Sequence, residues 1–348
     1  MLFRQLFDSA SSTYTYVLAD ERTRDAVVID PVFERHRRDL ALLRELELRP
    51  AYVIDTHCHA DHVTGAWLLK QTQGARIALA AEYHAENVDV PLRDGEVLRF
   101  GDEAVEVRAT PGHTAGCLSL VVAERGLVFT GDALLVRGAG RTDFQSGDAK
   151  ALYRSIRDRL FTLPDRTLVY PAHDYEGRTV STIGEEKRFN PRIGGGAREE
   201  DFVGYMTNLG LPHPKLLDVA LPANLRSGMP ESGAVSVPSR LWPVVTTYAG
   251  IEEIDPDWVA SHGAEVTVLD VRSAGEFDGE LGHLDGARLL PLPELRARIG
   301  EVPRDKPVVV VCQTGKRSAM ATVILRGAGI ANVANLAGGM AHYRELGL

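Results

Sequence analysis

Hydrophobic runs long enough to cross a bilayer are missing from this chain of 348 residues; none approaches the ~20 apolar residues that a spanning helix requires. Its first stretch, Met1-Leu2-Phe3-Arg4-Gln5-Leu6-Phe7-Asp8, also lacks the apolar core of a secretory signal. Together these absences predict a soluble, cytoplasmic protein with no membrane partner. Cysteine is scarce. Cys58, Cys117 and Cys312 cannot build a disulfide framework, and their number suits a reducing compartment. Positive charge is in deficit: 39 Lys and Arg stand against 48 Asp and Glu, for a net charge of −9. That balance argues against a nucleic-acid partner, which would call for a basic face. No internal repeat or low-complexity tract is present.

With 44% hydrophobic residues the chain can bury a sizeable core, and it is long enough for two domains. Residues 14–19 and 26–29 read as a hairpin, since β-branched and aromatic residues flank the polar turn Asp20-Glu21-Arg22-Thr23. Segment 34–48 carries Leu40, Leu43 and Leu46 at helical spacing, and 150–160 is a second amphipathic helix. Between 229 and 250 the pattern dissolves into prolines, glycine and serines, which predicts a linker. The alternation then restarts: strands over 266–271, 308–311 and 332–335, with helices near 292–299 and over 318–327. This order implies a small parallel α/β domain. The expected division is 1–228, a linker at 229–250, and 251–348.

The densest chemistry lies in Asp55-Thr56-His57-Cys58-His59-Ala60-Asp61-His62, directly after the apolar run Ala51-Tyr52-Val53-Ile54. Imidazoles and carboxylates suit zinc, iron or manganese, and residues two apart at a strand end can face one side together. Three further candidates recur in the same setting. His113 follows the alternating run 104–109, Asp132 closes Leu127-Val128-Phe129-Thr130-Gly131, and His173 follows Leu168-Val169-Tyr170-Pro171-Ala172. A site outside the carboxyl ends of strands is the usual arrangement in open α/β proteins. Strand alternation points Cys58 away from the histidines, which makes it a packed thiol, and Cys117 reads likewise. His36, His84, His213, His262 and His342 are expected to carry no chemistry.

The set His57-x-His59-x-Asp61-His62, His113, Asp132 and His173 resembles the signature of the metallo-β-lactamase superfamily, an αββα sandwich. Within it, several stretches resemble persulfide dioxygenases: Gly140-Arg141-Thr142-Asp143-Phe144-Gln145, the run from His173 to Thr182, Phe189-Asn190-Pro191-Arg192 and Leu221-Pro222-Ala223-Asn224. The resemblance implies one Fe(II) per chain on His57, His113 and Asp132. His59, Asp61, His62 and His173 then surround that site or hold an alternative metal, because every ligand of a dinuclear zinc centre is retained. It also implies glutathione contacts from Tyr175 and Arg192, with Arg141 and Asp174 in support. A homodimer is implied by resemblance alone.

A second centre is expected where Pro307-Val308-Val309-Val310-Val311 ends at Cys312 and Gln313-Thr314-Gly315-Lys316-Arg317 leads into a helix near Ser318. A cysteine set in a curl of backbone N–H groups at a helix start, beside Lys316 and Arg317, is poised as a thiolate nucleophile. Cysteine phosphatases use a related cradle but place arginine six residues after the cysteine, where this chain has Ser318. The loop resembles that of rhodanese sulfurtransferases, as do Asp270-Val271-Arg272, Glu276-Phe277 and Ala337-Gly338-Gly339-Met340. The implied activities are oxidation of glutathione persulfide by O2 to sulfite and glutathione, and transfer of sulfane sulfur between thiosulfate and glutathione through a Cys312 persulfide. The alternative is a thioester hydrolase similar to glyoxalase II, with a dinuclear metal centre and a sulfur-carrying or docking C-terminal module.

Overall fold

A computed structural model describes residues 1–212, 214–231 and 242–348. The chain divides into two compact units, Met1–Val235 and Ser236–Leu348.

In the first unit, six strands form one sheet in sequential order: β1 (Leu2–Asp8), β2 (Thr13–Ala19), β3 (Asp25–Ile29), β4 (Arg49–Ile54), β5 (Arg76–Ala80) and β6 (Val90–Leu92). A second six-stranded sheet holds β7 (Val97–Phe100), β8 (Glu103–Ala109), β9 (Leu118–Val122) and β10 (Leu127–Gly131). A small ribbon follows, β11 (Leu134–Leu135) with β12 (Gly138–Ala139). The second sheet is completed by β13 (Leu168–Pro171), parallel to β10, and by β14 (Ser181–Thr182).

Alternation along β2 explains the layering. Tyr14, Tyr16 and Leu18 point between the sheets, where they meet Phe100, Val107 and Phe129. Val17 and Ala19 point to the other face, under Leu42, Leu43 and Leu69 of the helices His36–Glu45 and Ala66–Gln73. The outer face of the second sheet is covered by Leu152, Ile156 and Phe202 from the helical segments that follow it. Helix, sheet, sheet and helix make an αββα sandwich.

In the second unit, the sheet runs β15 (Val245–Thr246), β16 (Glu252–Ile254), β20 (Val333–Leu336), β19 (Val308–Val311), β17 (Thr267–Asp270), β18 (Arg288–Leu289). Every pairing is parallel except that of β15 with β16. β19 is buried on both faces, with Val309 and Val311 in one core and Val308 and Val310 in the other. A continuous apolar run at the centre of a parallel sheet is the expected consequence.

Several expectations need correction. Residues 232–241 of the anticipated linker lie outside the described residues, but its ends do not link. Met229 lies against Asn87 of the first unit, while Trp242 enters the second core and Val245–Thr246 is an edge strand. The helix expected near 292–299 is instead two single turns, Leu292–Glu294 and Ile299–Glu301, with Pro293 in the first turn of the earlier one, where its missing N–H costs no hydrogen bond. Helix 34–48 shortens to His36–Glu45 behind one tight turn. Helix 150–160 begins at Ala149, where the Asp148 side chain caps it, and widens to π-type turns over Ser155–Leu160. The helix after Cys312 starts at Lys316. Among the described residues no helix is long and apolar enough to cross a membrane.

Candidate metal centre and thiolate loop

β4, β8, β10 and β13 all end at one rim of the sandwich, and the loops that leave them carry the candidate ligands. β4 stops at Ile54, so residues 57–62 form a loop and strand alternation does not orient them. Cys58 is nonetheless buried, and so is Cys117. Burial pushes both thiols up to about 12, which keeps them protonated.

His57, His113 and Asp132 place one ligand atom each within 4.8 Å of one another. Their hydrogen bonds fix which atoms those are. His113 Nδ1 lies 2.6 Å from the Arg141 carbonyl oxygen, which can only accept, so Nδ1 bears the proton and Nε2 is left bare. The Thr56 hydroxyl donates to Asp30 Oδ2 at 2.9 Å, so it accepts from His57 Nδ1 at 3.0 Å and again leaves Nε2 bare. Asp132 accepts from His173 through Oδ1 at 2.7 Å, while Oδ2 sits 3.6 Å from His113 Nε2. Each of the three is thus held on one side and open on the other, as metal ligands are when outer partners orient them. Burial, then the neighbouring His59, push His57 well below the usual imidazole range, which gives the neutral form a metal requires. Burial alone would raise Asp132, but His173, His113 and His57 hold it below the carboxylate range. Gly140 presses on this centre: a Cβ there would stand 2.1 Å from the Asp132 carbonyl oxygen and 3.0 Å from the His113 ring.

His59, Asp61, His62 and His173 form a second group with ligand atoms within 4.8 Å. Here most of the polar atoms satisfy one another. Asp61 Oδ2 accepts from His62 Nδ1 at 2.9 Å, His173 Nε2 at 3.0 Å and Thr13 Oγ1 at 3.1 Å. Burial would lower His173, yet Asp132 and Asp61 on its two nitrogens raise it well above the usual range. Two atoms stay orphaned: His59 Nδ1 and His62 Nε2 are buried with no hydrogen-bond partner among the described residues.

A cavity of about 760 Å³ opens over His57, His113 and Asp132 and is walled by Phe144, Tyr175 and Arg192. Tyr175 is 70% exposed and stacks parallel to the His173 ring at 6.1 Å. One Arg192 N–H is taken by the Ala139 carbonyl at 2.6 Å, and the guanidinium lies over Tyr205. Arg141 reaches the cavity wall with its guanidinium held by Asp143. Asp174 stands apart from the centre; its carboxylate accepts from the Glu176 and Arg178 amides and shapes the following loop.

Sequence reasoning missed the residues that hold the ligand loop. Asp30 accepts from the Thr56 amide at 2.7 Å and from His59 Nε2 at 3.1 Å. Asn224 donates to the His59 and His62 carbonyls, both at 2.9 Å, and accepts from the Thr64 amide at 2.8 Å. The Leu221-Pro222-Ala223-Asn224 stretch was a signal for Asn224, but nothing local assigned its task. His36, His84, His262 and His342 fall in none of these groups, and His213 lies outside the described residues.

In the second unit, Cys312 directly follows β19 and is 1% exposed. The loop that follows turns its carbonyls down onto the start of the last helix, Gly339–Glu345: the Met340 and Ala341 amides donate to the carbonyls of Cys312 and Gln313, each at 2.9 Å. Gly339 permits that approach, since a Cβ there would lie 2.5 Å from the Cys312 oxygen. With carbonyls turned down, the amides of Thr314, Arg317 and Ser318 converge on Sγ, and the Ser318 hydroxyl donates to it at 3.2 Å. Burial opposes ionisation, but these donors outweigh it and bring the thiol below its ordinary value. The charges expected to help do less: Lys316 is exposed, and Arg317 is paired through both nitrogens with Glu276 at 2.8 and 2.5 Å.

The fold and these centres define a metallo-β-lactamase-type sandwich joined to a rhodanese-like domain. The family models agree, matching the metallo-β-lactamase superfamily over residues 9–173 and the rhodanese-like domain over 255–346. More narrowly, the chain belongs to the persulfide dioxygenase family. It is 49% identical over 229 residues to the human mitochondrial persulfide dioxygenase ETHE1, an alignment covering 66% of this chain and 89% of that protein. The crystal structure of ETHE1 from Myxococcus xanthus is 52% identical and covers 66% of this chain and 100% of that one, with a TM-score of 0.63. A Staphylococcus aureus metallo-β-lactamase structure covers 97% of both chains at 22% identity and TM-score 0.60, a likeness of fold.

Proposed function

We propose that the chain oxidises glutathione persulfide in its first domain and transfers sulfane sulfur in its second, with Met229 in the first and Trp242 in the second. In the first reaction glutathione persulfide, O2 and water give glutathione, sulfite and two protons, and four electrons pass to O2. His57, His113 and Asp132 hold one Fe(II), with zinc as the alternative ion. Iron(II), when bound, supplies the one-electron chemistry by which O2 reacts with a sulfur anion. The carrying observation is that both imidazoles present a bare Nε2 and Asp132 a single oxygen to the same point, while Arg141, Thr56 and His173 secure their other sides. Three protein donors on one face leave positions for substrate. Phe144, Tyr175 and Arg192 line the cavity over the three ligands, and the reading assigns Tyr175 and Arg192 to the glutathione moiety.

In the second reaction the Cys312 thiolate attacks the outer sulfur of thiosulfate. The thiosulfate sulfur–sulfur bond breaks, its electron pair leaves on sulfite, and the negative charge of Sγ ends on the new outer sulfur. Glutathione thiolate takes that sulfur as glutathione persulfide, the substrate of the first domain. Three free, buried cysteines suit a reducing compartment such as the cytoplasm.

The orphaned His59 Nδ1 and His62 Nε2 favour a second reading, in which a further ion joins the centre and the first domain hydrolyses glutathione thioesters. One experiment separates the two: O2 uptake by anaerobically purified, iron-reconstituted protein given glutathione persulfide, with sulfite and metal measured on the same sample. About one iron per chain with persulfide-dependent uptake is expected. Two metals per chain with no uptake would move the assignment to hydrolysis.

A further inference from the structure

Ser318 stands between two acceptors with a single proton to give. Its hydroxyl oxygen is 3.2 Å from Cys312 Sγ and 2.5 Å from Asn335 Oδ1. Ser318 and Asn335 are both closed off from solvent, so no bulk water settles the competition. The orientation of the Asn335 amide is fixed from behind. Its nitrogen lies 2.9 Å from Glu253 Oε1, and an ionised carboxylate can only accept, so the NH2 group faces Glu253 and the oxygen faces Ser318. The sheet enforces this alignment, because Glu253 and Asn335 are register partners across β16 and β20.

We propose that Asn335, oriented by Glu253, is a positioning residue that draws the Ser318 hydroxyl away from Cys312 and thereby biases the second domain toward its sulfur-loaded form. The inference rests on the sulfur-transfer reading of Cys312. While Sγ is a thiolate, it is the stronger acceptor, and the hydroxyl turns to it. Two oxygens then face each other at 2.5 Å with no proton between them, a state that Asn335 disfavours. Loading removes the conflict. When the thiolate attacks thiosulfate and sulfite leaves, the charge moves to the outer sulfur and Sγ becomes a weak acceptor. The hydroxyl then donates to Asn335, and every polar group keeps a partner. Asn335 therefore makes the Ser318 hydrogen bond to the empty thiolate costlier and stabilises the persulfide by comparison.

The test is the pH profile of Cys312 alkylation by iodoacetamide in the full chain, followed by mass spectrometry of the Cys312 peptide. Ser318→Ala removes the donor, and below the midpoint its alkylation should be about tenfold slower, the size expected of one hydrogen bond to a charged group. Asn335→Leu removes the competing acceptor and should alkylate several-fold faster than the parent. Glu253→Gln provides the same test at the half-buried end of the network: it accepts either amide orientation, lets Asn335 turn its NH2 toward Ser318, and should shift the profile in the same direction by a smaller amount. Opposite shifts for Ser318→Ala and the other two variants support the switch. Parallel shifts, or no shift in Asn335→Leu and Glu253→Gln, overturn it. Thiosulfate:glutathione sulfurtransfer measured alongside separates the two ideas: opposite shifts in a protein without turnover would retain the hydrogen-bond switch and discard the sulfur-transfer reading beneath it.

Discussion

The metal centre and the thiolate loop each keep a charged group in a place poor in water, and they do so by opposite routes. In the first unit the donors leave four different strands, and each is secured from far away in sequence: His113 by Arg141, Asp132 by His173, the His59–His62 turn by Asn224. In the second unit every group that bonds Cys312 Sγ lies between Thr314 and Ser318. A centre assembled by tertiary contacts can fail through a residue that touches no ligand. One assembled by consecutive amides fails mainly through its own backbone.

The largest effects should come from removing a centre outright. Asp132→Ala should abolish persulfide-dependent O2 uptake and lower metal content to background, with sulfurtransfer unchanged; Cys312→Ser should do the reverse. Metal analysis and the two assays on one preparation decide it, and a Cys312→Ser protein that still transfers sulfur from thiosulfate would remove Cys312 from its role. Metal removal sharpens the same contrast. Ligands that bind only the native state stabilise it by mass action, about 4 kcal/mol at a thousandfold excess over Kd. Calorimetry before and after chelation should move the transition of the first unit downward and leave that of the second in place.

Next come residues that act at one remove. Thr56→Val deprives His57 Nδ1 of its acceptor and leaves Asp30 Oδ2 short of a donor. Metal affinity should fall about 10- to 100-fold, the usual penalty for losing an outer partner of a ligand. Asn224→Ala orphans the His59 and His62 carbonyls and the Thr64 amide, all buried. At about 1–3 kcal/mol for each unsatisfied group, the first unit should lose about 3 kcal/mol or more, read by denaturant titration. Equal destabilisation of both units would contradict the contrast drawn above.

The same contrast explains what could be read from the sequence. The thiolate loop was legible almost whole, because strand, cysteine, glycine and helix follow one another and the hydrogen-bonding geometry is carried by consecutive residues. The metal ligands were legible as a set, since histidine and aspartate after apolar strands announce themselves. Their tautomers were not, because these depend on Arg141 and Thr56 partners whose roles are set only when the sheets pack. Glu276 marks the limit in the second unit. It belongs to the Glu276-Phe277 resemblance, but its position 41 residues before Arg317 hides the pair that neutralises the expected positive charge.

That pair yields the smallest effect. Arg317 and the Ser273 amide hold the Glu276 carboxyl down at about 2, from an ordinary 4.5. A depressed carboxyl stabilises the fold fully above its unfolded value and loses that contribution only as pH falls toward 2. Between pH 5 and 9 the pair therefore stays intact, and a change in Cys312 reactivity across that range reports on the thiol alone. Because Arg317 and Glu276 are both part-exposed, the pair contributes little stability. Glu276→Gln should leave the midpoint of the alkylation profile almost in place and change the rate by less than about threefold. A shift as large as that of Ser318→Ala would mean that Arg317 charge, released from its partner, acts on Sγ after all.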